Sequence, residues 1–186
     1  MKKVFILTTV HIPFDTRIFH KEAKTLVKAG YDVTLIAQHS KNEIVDGVKI
    51  IALPKPRNRF MRIFGLTWRA LYLALCQRAD IYHFHDPELI IVGIILRLLG
   101  KKVIYDVHED VPKQILNKDW IENVSIRKIT AFVMNIIEQI GAFLFNRIVV
   151  ATPDIAKKFS KKKTVILRNF PILKLIDNTG LANCKK

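Results

Sequence analysis

The chain has 186 residues, which fits one ordinary α/β domain and is roughly half of what a two-domain enzyme needs. Half of the residues are apolar and a quarter are charged, a balance that excludes a disordered chain. Lys and Arg number 31 against 16 Asp and Glu, and the resulting charge of +15 predicts an anionic partner such as phosphate, nucleic acid or a lipid surface. Cys76 and Cys184 stand far apart without metal-ligand spacing, which excludes a disulfide framework and favours a reducing cytoplasm.

Two segments resemble membrane-directed sequences. Residues 4–10 follow a basic start as in a signal peptide, but no small-residue cleavage site follows, so we interpret them as a first strand. Residues 129–145 approach the minimum span of a bilayer, yet Asn135, Glu138 and Gln139 interrupt them. We therefore expect a buried helix there.

Seven short apolar, β-rich runs alternate with helical patterns along the chain. The runs occupy residues 4–9, 31–37, 48–53, 81–84, 103–107, 148–151 and 164–167. The helical patterns occupy residues 18–28, 60–78, 88–99 and 127–145, with a short helix after Pro153. This alternation predicts an α/β domain over residues 1–171, a doubly wound, mostly parallel seven-stranded Rossmann-like sheet, followed by an irregular tail at 172–186.

Polar residues gather where three of these strands end. His11 follows the first strand, His85 and Asp86 follow the fourth, and His108 and Glu109 follow the fifth. Ligands of such sheets bind beyond the carboxyl ends of the strands, so these residues are candidates for a site. The chain contains neither GxGxxG nor GxxxxGK[ST], which excludes the usual backbone cradles for a nucleotide and predicts no cofactor in this domain.

The loop 11–17 joins the first strand to a helix whose free N–H groups suit an anion, and Arg17 would reinforce that site. The alternative is that Asp15 only caps the helix and Arg17 is solvated. Both interpretations remain open at this point.

His108 is the best catalytic candidate, because a neutral imidazole beside carboxylates can accept or donate a proton. Strand alternation turns His83 to a sheet face, where we expect a structural role. A rival interpretation is a metal-dependent hydrolase with ligands His85, Asp86, His108 and Glu109. No recognised metal-ligand spacing supports it, so we expect no metal.

Residues 55–78 contain six basic residues, no acidic one, and interleaved aromatic side chains. Such a helix suits an anionic membrane interface, or it is an ordinary sheet-covering helix with its aromatic residues inside and its arginines in water. A non-catalytic membrane-binding subunit is therefore a further alternative. Nucleic acid is not expected, because no recognition module is visible. The candidate membrane-binding residues are Arg57, Arg59, Arg62, Trp68 and Arg69.

Five ordered motifs between residues 3 and 171 resemble the N-terminal domain of family 4 glycosyltransferases. The first is His11-x-Pro-x-Asp15-x-Arg17-Ile, which leads into Lys-Glu-Ala and Gly-Tyr-x-Val. The later ones are His85-Asp86-Pro-Glu, Tyr-Asp-x-His108-Glu, Val-Val-Ala-Thr-Pro and Val-x-Leu-Arg-Asn-Phe-Pro.

This resemblance implies a GT-B enzyme in which an N-terminal domain binds the acceptor and a C-terminal domain binds a UDP- or GDP-linked sugar. No segment of this chain resembles that donor-binding domain, so we expect the chain alone to be inactive and to need a donor-binding domain or subunit. By the same resemblance, His108 lies at the reaction centre. The implied acceptor-binding residues are His11, Asp15, Arg17, His85, Asp86 and Glu109.

The resemblance also implies hexosyl transfer, with the retention of anomeric configuration that is usual in the family. The implied acceptor is a glycan or a polyprenyl-diphosphate-linked carrier used in cell-surface polysaccharide synthesis. An acceptor of that kind agrees with the basic helix and predicts a cytoplasmic protein, peripheral at the inner face of the cell membrane.

Overall fold

An open eight-stranded sheet with helices on both faces forms the centre of the domain. The computed structural model describes residues 1–119 and 121–170, so the tail at 172–186 and Cys184 lie outside the described residues. The strands are β1 (Lys3–Leu7), β2 (Asp32–Gln38), β3 (Glu43–Val45), β4 (Val48–Leu53), β5 (Ile81–Phe84), β6 (Lys102–Val107), β7 (Arg147–Val150) and β8 (Thr164–Ile166).

In the part of the chain that the structure describes, six helical elements connect the strands. Helix α1 begins as a π-helix (Thr16–Ala23) and continues as an α-helix (Lys24–Lys28), and α2 likewise joins a π-helix (Met61–Leu66) to an α-helix (Thr67–Gln77). Helix α3 joins a 3₁₀ turn (Pro87–Leu89) to an α-helix (Ile90–Leu98). The remaining helices are α4 (Val111–Leu116), α5 (Val124–Leu144) and α6 (Pro153–Ala156).

The strand order is β3-β4-β2-β1-β5-β6-β7-β8, and every pair is parallel except β3 with β4. The doubly wound, mostly parallel α/β fold is thereby confirmed. The sequence analysis missed β3, because three residues are too short to show a periodic pattern. β3 is joined to β4 by a two-residue turn at Asp46 and Gly47, both with positive φ, which makes the pair a tight hairpin at the sheet edge.

Alternation along the strands supplies two cores, one on each face of the sheet. In β1, Val4 and Ile6 pack on one face with Ile18 and Phe19 of α1. On the other face Phe5 and Leu7 belong to the core that α2, α3 and α5 cover. Both faces of the central strands are therefore buried, as their continuous apolar sequences indicate.

Two glycines let α3 and α5 pack closely behind the sheet. A Cβ atom at Gly93 would lie 2.6 Å from Phe84 Cε1, and one at Gly141 would lie 2.8 Å from Phe145 Cε2. The ring of Phe145, which is fully buried, fills the space between these two helices and the sheet. No larger residue fits at either position unless the neighbouring side chains shift.

The outer faces of α2 and α5 are unusually apolar. In α2 the core side contains Leu66, Ala70 and Ala74, whereas Trp68 and Tyr72 are 55% and 66% exposed. The interpretation that the aromatic residues of this helix face the sheet is thus wrong.

Helix α5 is a surface helix with an apolar outer face, not the buried helix expected for residues 129–145. Its residues Ala131, Glu138, Gly141 and Ala142 are buried, but Ile129, Phe132 and Phe143 are largely exposed. Within residues 1–119 and 121–170, no helix has both the length and the apolar character required to cross a bilayer.

Candidate functional site

A polar cavity of about 340 Å³ lies at the carboxyl edge of the sheet, where β1, β5 and β6 end. Parallel strands bring their carboxyl ends together, and this edge is where open α/β sheets bind ligands. The cavity is lined by His11, His85, Asp86, His108 and Glu109, five residues that the sequence analysis singled out. The remaining two candidates, Asp15 and Arg17, do not line the cavity.

Asp86 anchors the loop that follows β1. Its Oδ2 atom accepts hydrogen bonds from Thr8 Oγ1 at 2.9 Å, from the backbone N–H and hydroxyl of Thr9, and from the backbone N–H of Val10. The side chain is almost fully buried. Asp86 therefore shapes the cavity wall, and little of its surface is left for direct contact with an acceptor.

Asp15 caps α1 and holds His11. Its Oδ1 accepts from the backbone N–H groups of Arg17 and Ile18, at 2.8 and 3.0 Å. Its Oδ2 lies 3.5 Å from His11 Nδ1, and this contact raises the pKa of His11 while it lowers that of Asp15. The free N–H groups expected at this helix start are already occupied by Asp15, so the capping interpretation is the one that the structure supports.

Arg17 is buried rather than solvated, and it faces away from the cavity. Its guanidinium donates two hydrogen bonds to Asp106, at 2.9 and 3.0 Å, and a third to the carbonyl of Leu167. Its Nε lies 3.2 Å from Glu22 Oε1. These contacts correct both interpretations of Arg17: it is buried against the carboxyl groups of Asp106 and Glu22, and it does not reinforce an exposed anion site.

The π-helical start of α1 explains why Arg17 and Glu22 meet. An α-helix has 3.6 residues per turn, so residues five apart point in different directions. The i→i+5 hydrogen bonds of a π-helix instead bring them towards one face, and such segments are frequent at functional sites.

Three histidines join Arg17, Glu22 and Asp106 in one cluster, which comprises Arg17, Glu22, His83, His85, Asp106 and His108. His83 lies on β5 and His85 follows the strand directly, with their rings 4.9 Å apart, so His83 belongs to the cluster and not to a separate structural surface. His85 Nε2 lies 3.2 Å from Glu22 Oε2, and His85 Nδ1 lies 2.9 Å from His108 Nε2. His83 Nε2 lies 3.6 Å from Asp106 Oδ2.

The two carboxyl groups of the cluster, Glu22 and Asp106, have pKa values shifted in opposite directions. Burial raises the pKa of Glu22 to about 8, helped by the neighbouring charge of Asp106. Burial alone would also raise the pKa of Asp106, but its contacts with His83 and the other histidines lower it below the usual range. Glu22 thus holds the proton near neutral pH, and Asp106 remains the anion that pairs with Arg17.

Of the two cluster histidines that line the cavity, His85 is fully buried and His108 keeps an exposed edge. Burial lowers the pKa of His108 to about 4, so the imidazole is neutral at pH 7. Its Nε2 is committed to His85, and its Nδ1 lies 3.8 Å from Asp106 Oδ1, beyond hydrogen-bonding distance. Nδ1 is therefore the ring nitrogen that can bond a substrate.

The residues proposed as ligands of a hydrolase metal do not converge. Asp86 is committed to the β1 loop, and exposed Glu109 accepts from the side chain of Gln114. A different set, Glu22, His83, His85 and Asp106, does place potential ligand atoms within 4.8 Å of one another. Arg17 already compensates the charge of Asp106, and each histidine turns different nitrogens to the two acids, a geometry that fits shared protons better than one ion. The absence of a metal stays a prediction.

An ion pair between Arg62 and Glu88 forms one wall of the cavity. Arg62 Nε lies 2.9 Å from a Glu88 oxygen that also accepts from the Thr9 hydroxyl. Arg62 therefore belongs to the cavity rather than to a solvated basic face. Arg57, Arg59, Trp68 and Arg69 are exposed.

Sequence patterns do not identify Glu22 and Asp106 as members of the cluster. Glu22 lies in a helical pattern that α-periodicity places away from Arg17, and no simple signal marks the π-helix. Asp106 alternates with Tyr105 and Val107 along β6, and a charged residue inside an otherwise apolar buried strand was the available signal.

The model for Glycosyltransferase Family 4 matches residues 16–166 of this chain. No curated protein matches the sequence. Among solved structures, sucrose-phosphate synthase from Thermosynechococcus elongatus is similar with a TM-score of 0.70 at 14% identity, over 94% of this chain and 50% of that one. The catalytic domain of starch synthase IV from Arabidopsis thaliana gives 0.58 at 12% identity, over 90% and 51%. HepE from Anabaena, in complex with UDP and glucose, gives 0.52 at 10% identity, over 98% and 51%. The chain thus spans about half the length of these structures, and the likeness shows a shared fold.

Proposed function

Because the chain belongs to Glycosyltransferase Family 4, we propose that it is the acceptor-binding half of a two-domain glycosyltransferase. The observation that carries the proposal is the polar cavity at the carboxyl edge of the sheet, with the neutral imidazole of His108 in its wall. Residues 1–171 would form this half, and the donor-binding half would come from another domain or subunit. The match to about half the length of larger proteins supports this division.

In this proposal His108 acts through Nδ1, which faces away from His85. A neutral imidazole bonds sugar hydroxyls without the cost of burying a charge, and His85 fixes the orientation of its ring. His11 lines the same cavity, and its contact with Asp15 raises its pKa, which favours the protonated ring beside an anionic part of the acceptor. Both side chains would position the acceptor for attack on the sugar.

We propose a UDP- or GDP-linked sugar as the donor, held by the other half, and a hexosyl group as the unit transferred. The absence of glycine-rich phosphate loops from the sequence supports the assignment of nucleotide binding to that other half. The acceptor would be a glycan or a polyprenyl-diphosphate-linked carrier in cell-surface polysaccharide synthesis.

A cytoplasmic position at the inner face of the membrane fits such an acceptor. The supporting observation is the outer face of α2, where Trp68 and Arg69 are exposed, together with the exposed Arg57 in the loop before this helix. Aromatic and basic side chains together suit a headgroup interface.

Isothermal titration of the purified chain with UDP, GDP and their sugars tests the assignment of this half. We expect no tight binding. A micromolar affinity for any of these nucleotides would identify the domain as a donor-binding half and overturn the proposal.

Reconstitution tests the catalytic assignment. The chain is joined after residue 170 to a donor-binding domain of the same family, and sugar transfer to a lipid-linked or glycan acceptor is measured. His108→Ala should reduce turnover by roughly a hundredfold to ten-thousandfold. His39→Ala, outside the cavity, is the matched control and should remain within about twofold of the unmodified protein. Equal activity of the two variants would remove His108 from the reaction.

A further inference from the structure

The contact between Glu22 and His85 leaves buried polar atoms without hydrogen bonds. Both oxygens of the Glu22 carboxyl group and Nε2 of His85 are buried, and within the described part of the chain none of these three atoms has a well-aligned hydrogen bond. His85 Nε2 nevertheless lies 3.2 Å from Glu22 Oε2. Native structures rarely leave buried polar atoms unpaired, and a catalytic role is one of the few explanations when they do. This pair therefore needs an explanation in terms of function.

A continuous path of polar atoms connects the pair with the polar cavity. The other nitrogen of the same ring, His85 Nδ1, lies 2.9 Å from His108 Nε2. The two ring planes are 13° apart and the ring centroids are 5.2 Å apart, so the rings meet edge to edge. In this arrangement the N–H of one ring points at the lone pair of the other. The path ends at His108 Nδ1, the nitrogen that can bond a substrate.

This path can move a proton without building up charge. A neutral imidazole has one nitrogen that donates and one that accepts. When His108 takes a proton at Nδ1, it can give the proton on Nε2 to His85 Nδ1, and His85 can give the proton on its own Nε2 to an ionised Glu22. Both rings end neutral. The net result is the movement of one proton from the cavity to Glu22.

We propose that Glu22 accepts, through His85 and His108, the proton that the acceptor hydroxyl loses during sugar transfer. This inference rests on the proposed function. In the transfer step the acceptor oxygen forms a bond to the anomeric carbon, the bond from that carbon to the donor phosphate breaks, and its electron pair leaves with the nucleoside diphosphate. The hydroxyl proton goes to His108 Nδ1, and Glu22 becomes a neutral carboxylic acid. After the products leave, the proton returns by the same path to water in the cavity.

The surroundings of Glu22 suit a proton acceptor. Burial and the charge of Asp106 raise the pKa of Glu22 to about 8, whereas burial lowers the pKa of His108 to about 4. His108 alone is therefore a weak base at neutral pH, and Glu22 is a stronger one. The charged and titratable groups that face Glu22 come from its own helix, from β5 and the residue after it, and from β6: Arg17, His83, His85 and Asp106.

The pH dependence of sugar transfer in the reconstituted enzyme tests the proposal. Only ionised Glu22 can take a proton, so kcat should rise as the pH increases through about 8. Glu22→Gln keeps the size of the side chain but cannot accept the proton. This variant should lower kcat at pH 8 about tenfold or more, abolish the rise with pH and leave the KM for the acceptor within about twofold. Glu22→Asp, which can still accept a proton, should restore part of kcat and of its rise with pH.

Glu43→Gln is the matched control. Glu43 also contacts a histidine, since His39 Nε2 lies 2.6 Å from its Oε1, but it lies on the edge strand β3 outside the cavity. Its variant should keep kcat within about twofold of the unmodified enzyme at every pH. Circular dichroism verifies that all variants fold.

A solvent isotope measurement on the unmodified enzyme needs no variant. The rate of a single turnover should fall in D₂O, and its dependence on the D₂O fraction should curve, because more than one proton moves in the same step. A linear dependence would overturn the proposal, since the proton would then pass directly to the leaving diphosphate or to water.

The outcomes distinguish this inference from the proposed function. Transfer by Glu22→Gln with the kcat and pH profile of the unmodified enzyme would overturn the role of Glu22 and leave the proposed function standing. Absence of transfer by the unmodified reconstituted enzyme would refute the proposed function itself, and the proton path with it.

Discussion

His85 Nδ1 and His108 Nε2 lie 2.9 Å apart, so these two imidazoles share one proton. The other ring nitrogen of His85 faces Glu22 at 3.2 Å. A protonated Glu22 can donate to His85, which then donates to His108 and leaves His108 Nδ1 carrying a hydrogen. An ionised Glu22 favours the opposite arrangement, with His108 Nδ1 as an acceptor.

The tautomer of His108 should therefore follow the ionisation of Glu22. Since burial raises the pKa of Glu22 to about 8, we expect the Nδ1–H tautomer at pH 6.5 to 7 and an increasing Nε2–H population above pH 8. Nitrogen-15 chemical shifts of the histidine rings measure this directly. Glu22→Gln should abolish the pH dependence of the His108 tautomer. A His108 tautomer that stays constant in the unmodified protein from pH 6.5 to 9 would contradict the coupling from Glu22 through His85 to His108.

Arg17 should be indispensable to the fold. Arg17→Met leaves Asp106 buried without its cation, and the loss of one partner from a buried ion pair costs about 3 to 5 kcal/mol of unfolding free energy. Urea unfolding measures the difference. The control is Lys49→Met, which removes an exposed partner of Asp32 and should cost less than about 1 kcal/mol. Similar losses in the two variants would mean that the cluster does not depend on its cation.

The stability of the domain should fall on both sides of neutral pH. Burial lowers the pKa of His85 and His108, the latter to about 4, so the unfolded chain binds more protons below pH 6.5 and stability is lost as the pH falls from 6.5 towards 4. Glu22 acts oppositely: its raised pKa gives stability that is complete below about pH 4.5 and is lost as the pH rises to about 8.

Thermal unfolding across this pH range, with single variants, separates the two limbs. His108→Gln should reduce the loss of stability between pH 6.5 and 4, and Glu22→Gln should reduce the loss of stability as the pH rises to about 8. His20→Gln, outside the cluster, should follow the unmodified protein. An acid limb that is unchanged in His108→Gln would show that burial of this histidine does not govern the pH response.

The protein should bind anionic vesicles through the outer face of α2. Exposed basic residues near such a surface contribute about 1 kcal/mol each and are screened over roughly 10 Å at 0.1 M salt. Co-sedimentation should fall as salt is added, and the double variant Arg57→Gln, Arg69→Gln should bind several-fold more weakly. The control is Lys161→Gln, Lys162→Gln, which removes the same charge from the exposed loop before β8. Equal loss in both pairs would indicate binding by net charge alone.

The regular parts of the fold follow from local sequence patterns, and the cluster does not. Continuous apolar runs mark buried parallel strands, and parallel strands necessarily gather His11, His85 and His108 at one edge. The roles of Arg17 and Glu22 depend on a π-helix, whose extra residue per turn leaves no mark in an apolar pattern of period 3.6. The same limit applied to α2, where period alone does not determine which face of an amphipathic helix meets the sheet.

Gly93 and Gly141 connect the packing of the core to the width of an apolar groove of about 310 Å³ that α2, α3 and α5 line. Ile91 and Ile95 lie on the same helix as Gly93, and Met134 and Ile137 lie on the same helix as Gly141. A methyl group at Gly93 would press on the ring of Phe84, and one at Gly141 would press on Phe145 and on Ile90 of α3, so the packing behind the groove wall would have to change. The width of this groove therefore depends on two buried positions that do not line it.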